Sequence, residues 1–242
     1  MIPRIIHQTW ASNVIPQHLR RYQESWLQHH PEWEYRFWDD KANHTLIAEH
    51  YPEFADHYRR VTPTILRVDL VRLAYLHRHG GVYADLDYEV IRPLDGLLNT
   101  SRAIVGRERG GIGWPIRGRD YVINALMASP PGHRLWLDVM HSMVGAYRRR
   151  RAFERHTRYV IRMAIAVLDD QVEQHLRDGD DVVVLPFETL YPSMPTQRIT
   201  EHRQRVAEAL GAYGIHHYEN SWRTPLARLV NRGRVIVQRC LP

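Results

Sequence analysis

The sequence predicts an α/β fold with a mainly parallel central sheet and flanking helices. Two observations carry this: short runs of branched and aromatic residues alternate with longer segments of helical period, and no repeat, low-complexity tract or linker divides the chain. A third is that acidic side chains collect at the carboxyl end of a predicted strand, where ligands bind in such sheets. At 242 residues one domain spanning 1–242 is expected, large enough to bury a core without covalent staples.

Residues 2–10 are rich in isoleucine and read as a first strand ending at Trp10, followed by a loop over 12–16. QHLRRYQESWLQHH (17–30) carries the stripe Leu19, Tyr22, Trp26, His30 and stops at Pro31. Tyr35 to Trp38 is a short aromatic strand, with a helix after it around 43–50. Thr62 and Pro63 read as an N-cap and first helical position of a helix that runs to His79 and closes on Gly80 and Gly81. A strand is expected over 82–86 and another over 103–106, with a glycine-containing loop over 110–118. Helices are expected over 121–129, 133–149, 159–177 and 201–210, and strands at DVVVLP and over 234–238.

The bulk properties narrow the chemistry. Cys240 is the single cysteine, which excludes an internal disulfide and a thiolate metal cluster and predicts a reducing compartment. No run approaches 18 apolar residues and MIPRIIHQTW lacks a cleavage signature, so a soluble, cytoplasmic protein is expected. The formal charge of +6 points to an anionic partner, and only Lys41 among 33 basic residues is a lysine. Arginine forks suit phosphate and carboxylate, although compositional bias is the better explanation of their number. Gly110, Gly111 and Gly113 do not follow a strand into a helix, so the dinucleotide fingerprint is missing, as are a Walker sequence and a G-x-S-x-G elbow.

The stretch GGVYADLDYEV (80–90) sets two aspartates into a run that otherwise reads as a buried strand. In an extended chain Tyr83, Asp85 and Asp87 share a face, so two carboxylates converge and repel unless a cation joins them. A hard divalent ion, magnesium or manganese, resolves that conflict and keeps positions open for phosphate oxygens. On the preceding helix Ile65, Asp69, Arg72 and Leu76 form one stripe, an acid and an arginine set between apolar neighbours. The spacing after Asp87 does not fit a calcium loop.

Together IPRIIHQTW, LRVDLVRLAYLHRHGGVYADLDYEVIRPLD, NALMASPPGH and HHYENSW resemble, in order and spacing, glycosyltransferase family 32, the sugar transferases with a DXD motif. That resemblance implies a GT-A fold, a nucleotide-sugar donor (a UDP- or GDP-sugar), Mn2+ or Mg2+ as cofactor, and transfer with retention to a glycan or lipid-linked acceptor. It assigns Asp87 to the metal, Asp85 to the ribose and the metal's water shell, and Asp69 and Arg72 to the donor sugar and diphosphate. It also assigns Trp10 to the nucleobase and Asn124 to the transferred sugar. His217, Ser221 and Trp222 fall in a closing segment, with His217 reaching the metal. The catalytic set expected is Asp69, Arg72, Asp87 and Asn124. Where relatives carry Thr-Gly-Pro this chain has Ala164-Ile165-Ala166 in a helical pattern, a departure on the acceptor side.

Two other functions fit parts of the pattern. A metal-dependent nucleotide-sugar hydrolase would use the same paired carboxylates. A nucleic-acid-binding protein would use the charge, but no basic stripe with interleaved aromatics is visible, so no nucleic acid is expected. The start of the sequence at the first strand favours a cytosolic protein over an anchored one, with peripheral contact to the inner face of an anionic membrane.

Overall fold

The computed structural model describes residues 1–109, 119–148, 156–192 and 201–219. The loop expected over 110–118, the basic residues 149–151 and the strand over 234–238 lie outside them.

The chain opens with β1 (Ile5–Thr9), α1 (Gln17–His29), β2 (Glu34–Trp38), α2 (Asp40–His50) and α3 (Pro52–Arg60). The stripe of α1 is buried as its period demands, and Trp26 both fills the core and donates its indole N–H to the carbonyl of Tyr88 at 2.8 Å. Asp39 caps α2, its Oδ1 accepting the amide of Ala42 at 2.8 Å. Proline in the first turn of α3 starts a helix that the sequence pattern did not reveal. Next come α4 (Ile65–His79), β3 (Gly81–Ala84), β4 (Tyr88–Val90), α5 (Asp95–Leu98), β5 (Ala103–Glu108) and β6 (Tyr121–Ser129). The chain continues with α6 (Arg134–Arg148), α7 (His156–Ile161), a π-helical turn (Arg162–Ala166), α8 (Val167–Asp178), β7 (Val182–Leu185), α9 (Phe187–Leu190), α10 (Glu201–Ala209) and β8 (Gly214–His216).

Six strands form one sheet in the order β2-β1-β3-β6-β5-β7, and β4 pairs with β8 in a second, two-stranded ladder. The large sheet is mainly parallel, with β6 antiparallel to both neighbours. Buried leucines, valines and aromatics of α4, α6 and α8 cover one face; Trp26, Trp33, Tyr88 and Tyr191 belong to the cluster that contains Ile6 and Val82. No helix among the described residues is long and apolar enough to cross a membrane.

Three expectations are corrected. Tyr121 to Ser129 is a strand, not a helix: as the central strand it is buried on both faces, so it shows no alternation, and its Ala, Leu and Met residues mimic a helix. Helix α4 begins at Ile65, not at Pro63; a cis Thr62–Pro63 bond precedes it, and Thr64 makes no side-chain cap. Strand β3 ends at Ala84, so the aspartates stand in a turn closed by the Tyr88 amide on the Asp85 carbonyl at 2.9 Å. The entry to β3 is held by Gly81, at φ 90°, where a Cβ would lie 2.6 Å from the carbonyl oxygen of Ile5.

Candidate active site

A bulge in the central strand creates the space. Along β5 the partner in β6 jumps from Met127, opposite Val105, to Ile123, opposite Gly106. Freed from that ladder, Asn124 and Ala125 turn their carbonyls to the site: Asn124 O accepts from Arg72 at 2.9 Å and Ala125 O accepts the amide of Asp85 at 2.8 Å. The Tyr191 hydroxyl satisfies Leu126, accepting its amide at 2.8 Å, and packs where Gly106 leaves room: a Cβ there would stand 2.7 Å from the ring.

Beside the bulge, Arg72 and Asp69 project from α4 and are 3% and 5% exposed. The guanidinium reaches Asp69 Oδ1 at 3.1 Å, Asp85 Oδ1 at 3.0 Å and the carbonyls of Asn124 and Val68, and it lies 4.6 Å from the centre of the Tyr83 ring. The guanidinium is thus engaged by two carboxylates and two carbonyls while it lines the cleft. The Asn124 amide donates to Asp69 Oδ1 at 2.9 Å, while Asp69 Oδ2 is buried without a hydrogen-bond partner. Burial, opposed by Arg72, lifts the Asp69 carboxyl to about 6.

The strand pairing of β4 with β8 brings a third group to the aspartates. His216 lies opposite Tyr88 in that ladder and sets its Nε2 3.3 Å from Asp87 Oδ1 and 3.9 Å from Asp85 Oδ2. Ligand atoms of Asp85, Asp87 and His216 all fall within 4.8 Å of one another. Burial raises the Asp85 carboxyl, with Arg72 opposing and Asp87 reinforcing; for Asp87 burial is outweighed by His216, so its carboxyl sits below the usual range. The His216 imidazole is raised, burial being outweighed by Asp87 and Asp85. Two carboxylates and an imidazole, sharing one pocket with crowded negative charge, are a donor set that fits Mn2+ or Mg2+.

The structure brings His216, not His217, to this cluster. The His217 ring stacks on Tyr22 at 4.1 Å and its Nε2 is 2.7 Å from Glu89. Adjacent residues of a strand face opposite sides, and the partner register that selects His216 is not readable from an His-His pair. Backbone contacts of Asp87 clasp the same segment: its carbonyl accepts the amide of His217 at 2.9 Å and its Oδ2 the amide of Glu219 at 2.7 Å.

Asp69, Arg72, Asp85, Asp87, Asn124, Ala125 and His216 line one cleft of about 570 Å³, whereas His217 does not. Trp10 is in its wall, packed with Leu19, Tyr22 and Leu86. Tyr83, whose hydroxyl donates to Asp85 Oδ1 at 2.6 Å, also lines it, as does Glu108, 2% exposed, which accepts from Tyr121 at 2.7 Å and from Tyr218. Sequence reasoning missed Glu108 and Tyr218, whose acidic and aromatic side chains carry no distinguishing pattern. Ser221 and Trp222 lie outside the described residues.

Comparison with known proteins agrees with this geometry. Residues 16–104 match the family described as "Glycosyltransferase sugar-binding region containing DXD motif". The chain is 35% identical over 142 residues to inositol phosphoceramide mannosyltransferase 3 of Schizosaccharomyces pombe, covering 59% of this chain and 37% of that protein. It is 30% identical over 118 residues to the initiation-specific alpha-1,6-mannosyltransferase of Candida albicans, covering 46% of this chain and 31% of that one. The chain thus spans about a third of these relatives' lengths. In fold it is similar to the UDP-bound glycosyltransferase domain of the YGT toxin, with a TM-score of 0.55 and 9% identity over 76% of this chain and 79% of the other. Residues 16–104 are thus similar to the DXD-containing sugar-binding region of glycosyltransferases, and the sheet that carries them has a GT-A fold.

Proposed function

We propose that the chain, as one catalytic unit, moves a sugar from a nucleotide-sugar donor to a hydroxyl of a glycan or lipid-linked acceptor, with a divalent cation and with retention of configuration. The observation that carries this reading is the meeting, in one cleft, of the Asp85-Asp87-His216 set with the unpartnered Oδ2 of Asp69. The two relatives named above are both called mannosyltransferases, which makes a nucleotide-linked mannose the first donor to test, whether on UDP or GDP.

In this reading Asp85, Asp87 and His216 hold Mn2+ or Mg2+. The cation, when bound, neutralises charge that develops on the departing diphosphate. Asp69 accepts a hydroxyl of the donor sugar through Oδ2, and Asn124 fixes Asp69 through its amide. Arg72 is a positioning residue that holds both carboxylates in register. Trp10 offers a flat apolar face to the base. The acceptor oxygen bonds to the anomeric carbon as the bond from that carbon to the diphosphate oxygen breaks on the same face, and the hydroxyl proton passes to the leaving diphosphate. A cytoplasmic location with peripheral contact to an anionic membrane belongs to the proposal, supported by the formal charge of +6.

Titration of UDP- and GDP-sugars with and without Mn2+ tests it. Donor affinity is expected to depend on the cation and to fall at least tenfold in Asp87→Asn, which keeps an oxygen for the Glu219 amide. Unchanged cation-dependent affinity in that variant would sink the assignment. Turnover that fails to rise on adding any hydroxyl acceptor would convert the reading to a hydrolase.

A further inference from the structure

The cleft has a second stretch of lining to which no donor role is assigned above. Pro63, just before α4, Ile65 and Val68, in its first turn, and Ile161, Ala164 and Ile165, in and before the π-helical turn, line the same cavity as the carboxylates. Ile65 and Val68 stand one turn before Asp69 and Arg72 respectively, so this wall adjoins on α4 the carboxylate assigned to the donor sugar. A π turn inserts an extra residue into a helical turn and is frequent at functional sites. Here the departure Ala164-Ile165-Ala166 lies within the turn, which spans Arg162–Ala166.

The chemistry of the wall restricts what can lie on it. The cation set marks one part of the cleft, Trp10 the base, and Asp69 with Asn124 the sugar; of the remaining lining, which also holds Asp40, Glu108, Tyr218 and Glu219, this wall is the continuous apolar part. The six side chains are aliphatic and offer neither an aromatic face for a pyranose ring nor a hydrogen-bonding group for its hydroxyls, and Thr64 supplies a hydroxyl beside them. We infer that this wall is the acceptor subsite and that it takes an alkyl chain flanking the hydroxyl that receives the sugar. The inference rests on the transferase reading above for the word acceptor, but the alkyl-binding surface exists independently of it.

The test uses methyl, butyl and octyl glycosides below their micelle concentrations, both as acceptors at saturating donor and as ligands titrated directly into the protein. Each buried methylene contributes about 0.8 kcal/mol, roughly a fourfold gain in affinity, until the wall is covered. The wild type is expected to bind the octyl glycoside at least tenfold more tightly than the methyl one. In Ile165→Asn, a half-buried position chosen so that the fold survives, that preference should shrink to within twofold while cation-dependent donor affinity stays the same. Ala164→Leu should lower the longest chain accepted. Chain-length independence in the wild type, or a preference that persists in Ile165→Asn, overturns the subsite. Loss of donor binding throughout would instead overturn the transferase reading, and the direct titration would still decide the alkyl site.

Discussion

Replacing Arg72 with methionine removes the guanidinium that contacts both Asp69, which is buried, and Asp85, which is partly buried, while keeping an unbranched apolar stem. In the native protein Asp69 sits at about 6 against an ordinary 3.8, even with Arg72 at 3.1 Å. At 1.36 kcal/mol per pH unit, that displacement alone costs the fold about 3 kcal/mol once pH exceeds 6. The sign is that of a raised acid: its contribution is complete below 3.8 and is lost as pH climbs through about 6. Without Arg72 both Asp69 and Asp85 titrate higher still, and removal of one partner from a buried ion pair destabilises by about 3–5 kcal/mol. Denaturant unfolding of metal-free protein at pH 5 and pH 8 reads this directly. The variant should be weaker by about 3–5 kcal/mol at pH 8 and by only about 1–2 kcal/mol at pH 5, where protonated carboxyls no longer need the guanidinium and mainly packing is lost. A deficit equal at the two pH values would refute the reasoning, because it would mean that charge compensation is not what Arg72 supplies.

Two further outcomes are expected. Trp38 donates to His7 Nδ1 at 3.1 Å and His7 Nε2 donates to the Gly80 carbonyl at 2.9 Å, so the buried imidazole is neutral with both nitrogens engaged, and burial lowers it to about 3. Stability should therefore fall as pH drops below 6.5, by about 2 kcal/mol from this residue between pH 6.5 and 5; melts of His7→Gln should show that slope reduced by one proton. Gly81→Ala should destabilise by more than about 1 kcal/mol, since its φ of 90° and the carbonyl of Ile5 leave no place for a methyl group; a neutral result in thermal unfolding would contradict the strand entry described here.

Periodicity carried the outer elements. Helices such as α1 and α6 have one wet face, so burial writes a 3.6-residue rhythm into the sequence, and Asp69 and Arg72 could be put on one stripe of α4 for the same reason. It failed for β6, where both faces are covered and rhythm disappears, and with it went the bulge that aims Asn124 and Ala125 at the site. The convergence of Asp85 and Asp87 was legible, but through a turn rather than an extended chain. What selects His216 over His217 is a ladder between segments far apart in sequence, and long-range register leaves no local trace.

The ladder between β4 and β8 also dictates when the pocket comes into being. Two of the three groups proposed to hold the cation are synthesised early, while the third must wait until residue 216 has left the ribosome and zipped onto the edge beside Tyr88. On that proposal, a nascent polypeptide short of residue 216 holds only the pair of acids, and the third donor arrives with the β4–β8 ladder.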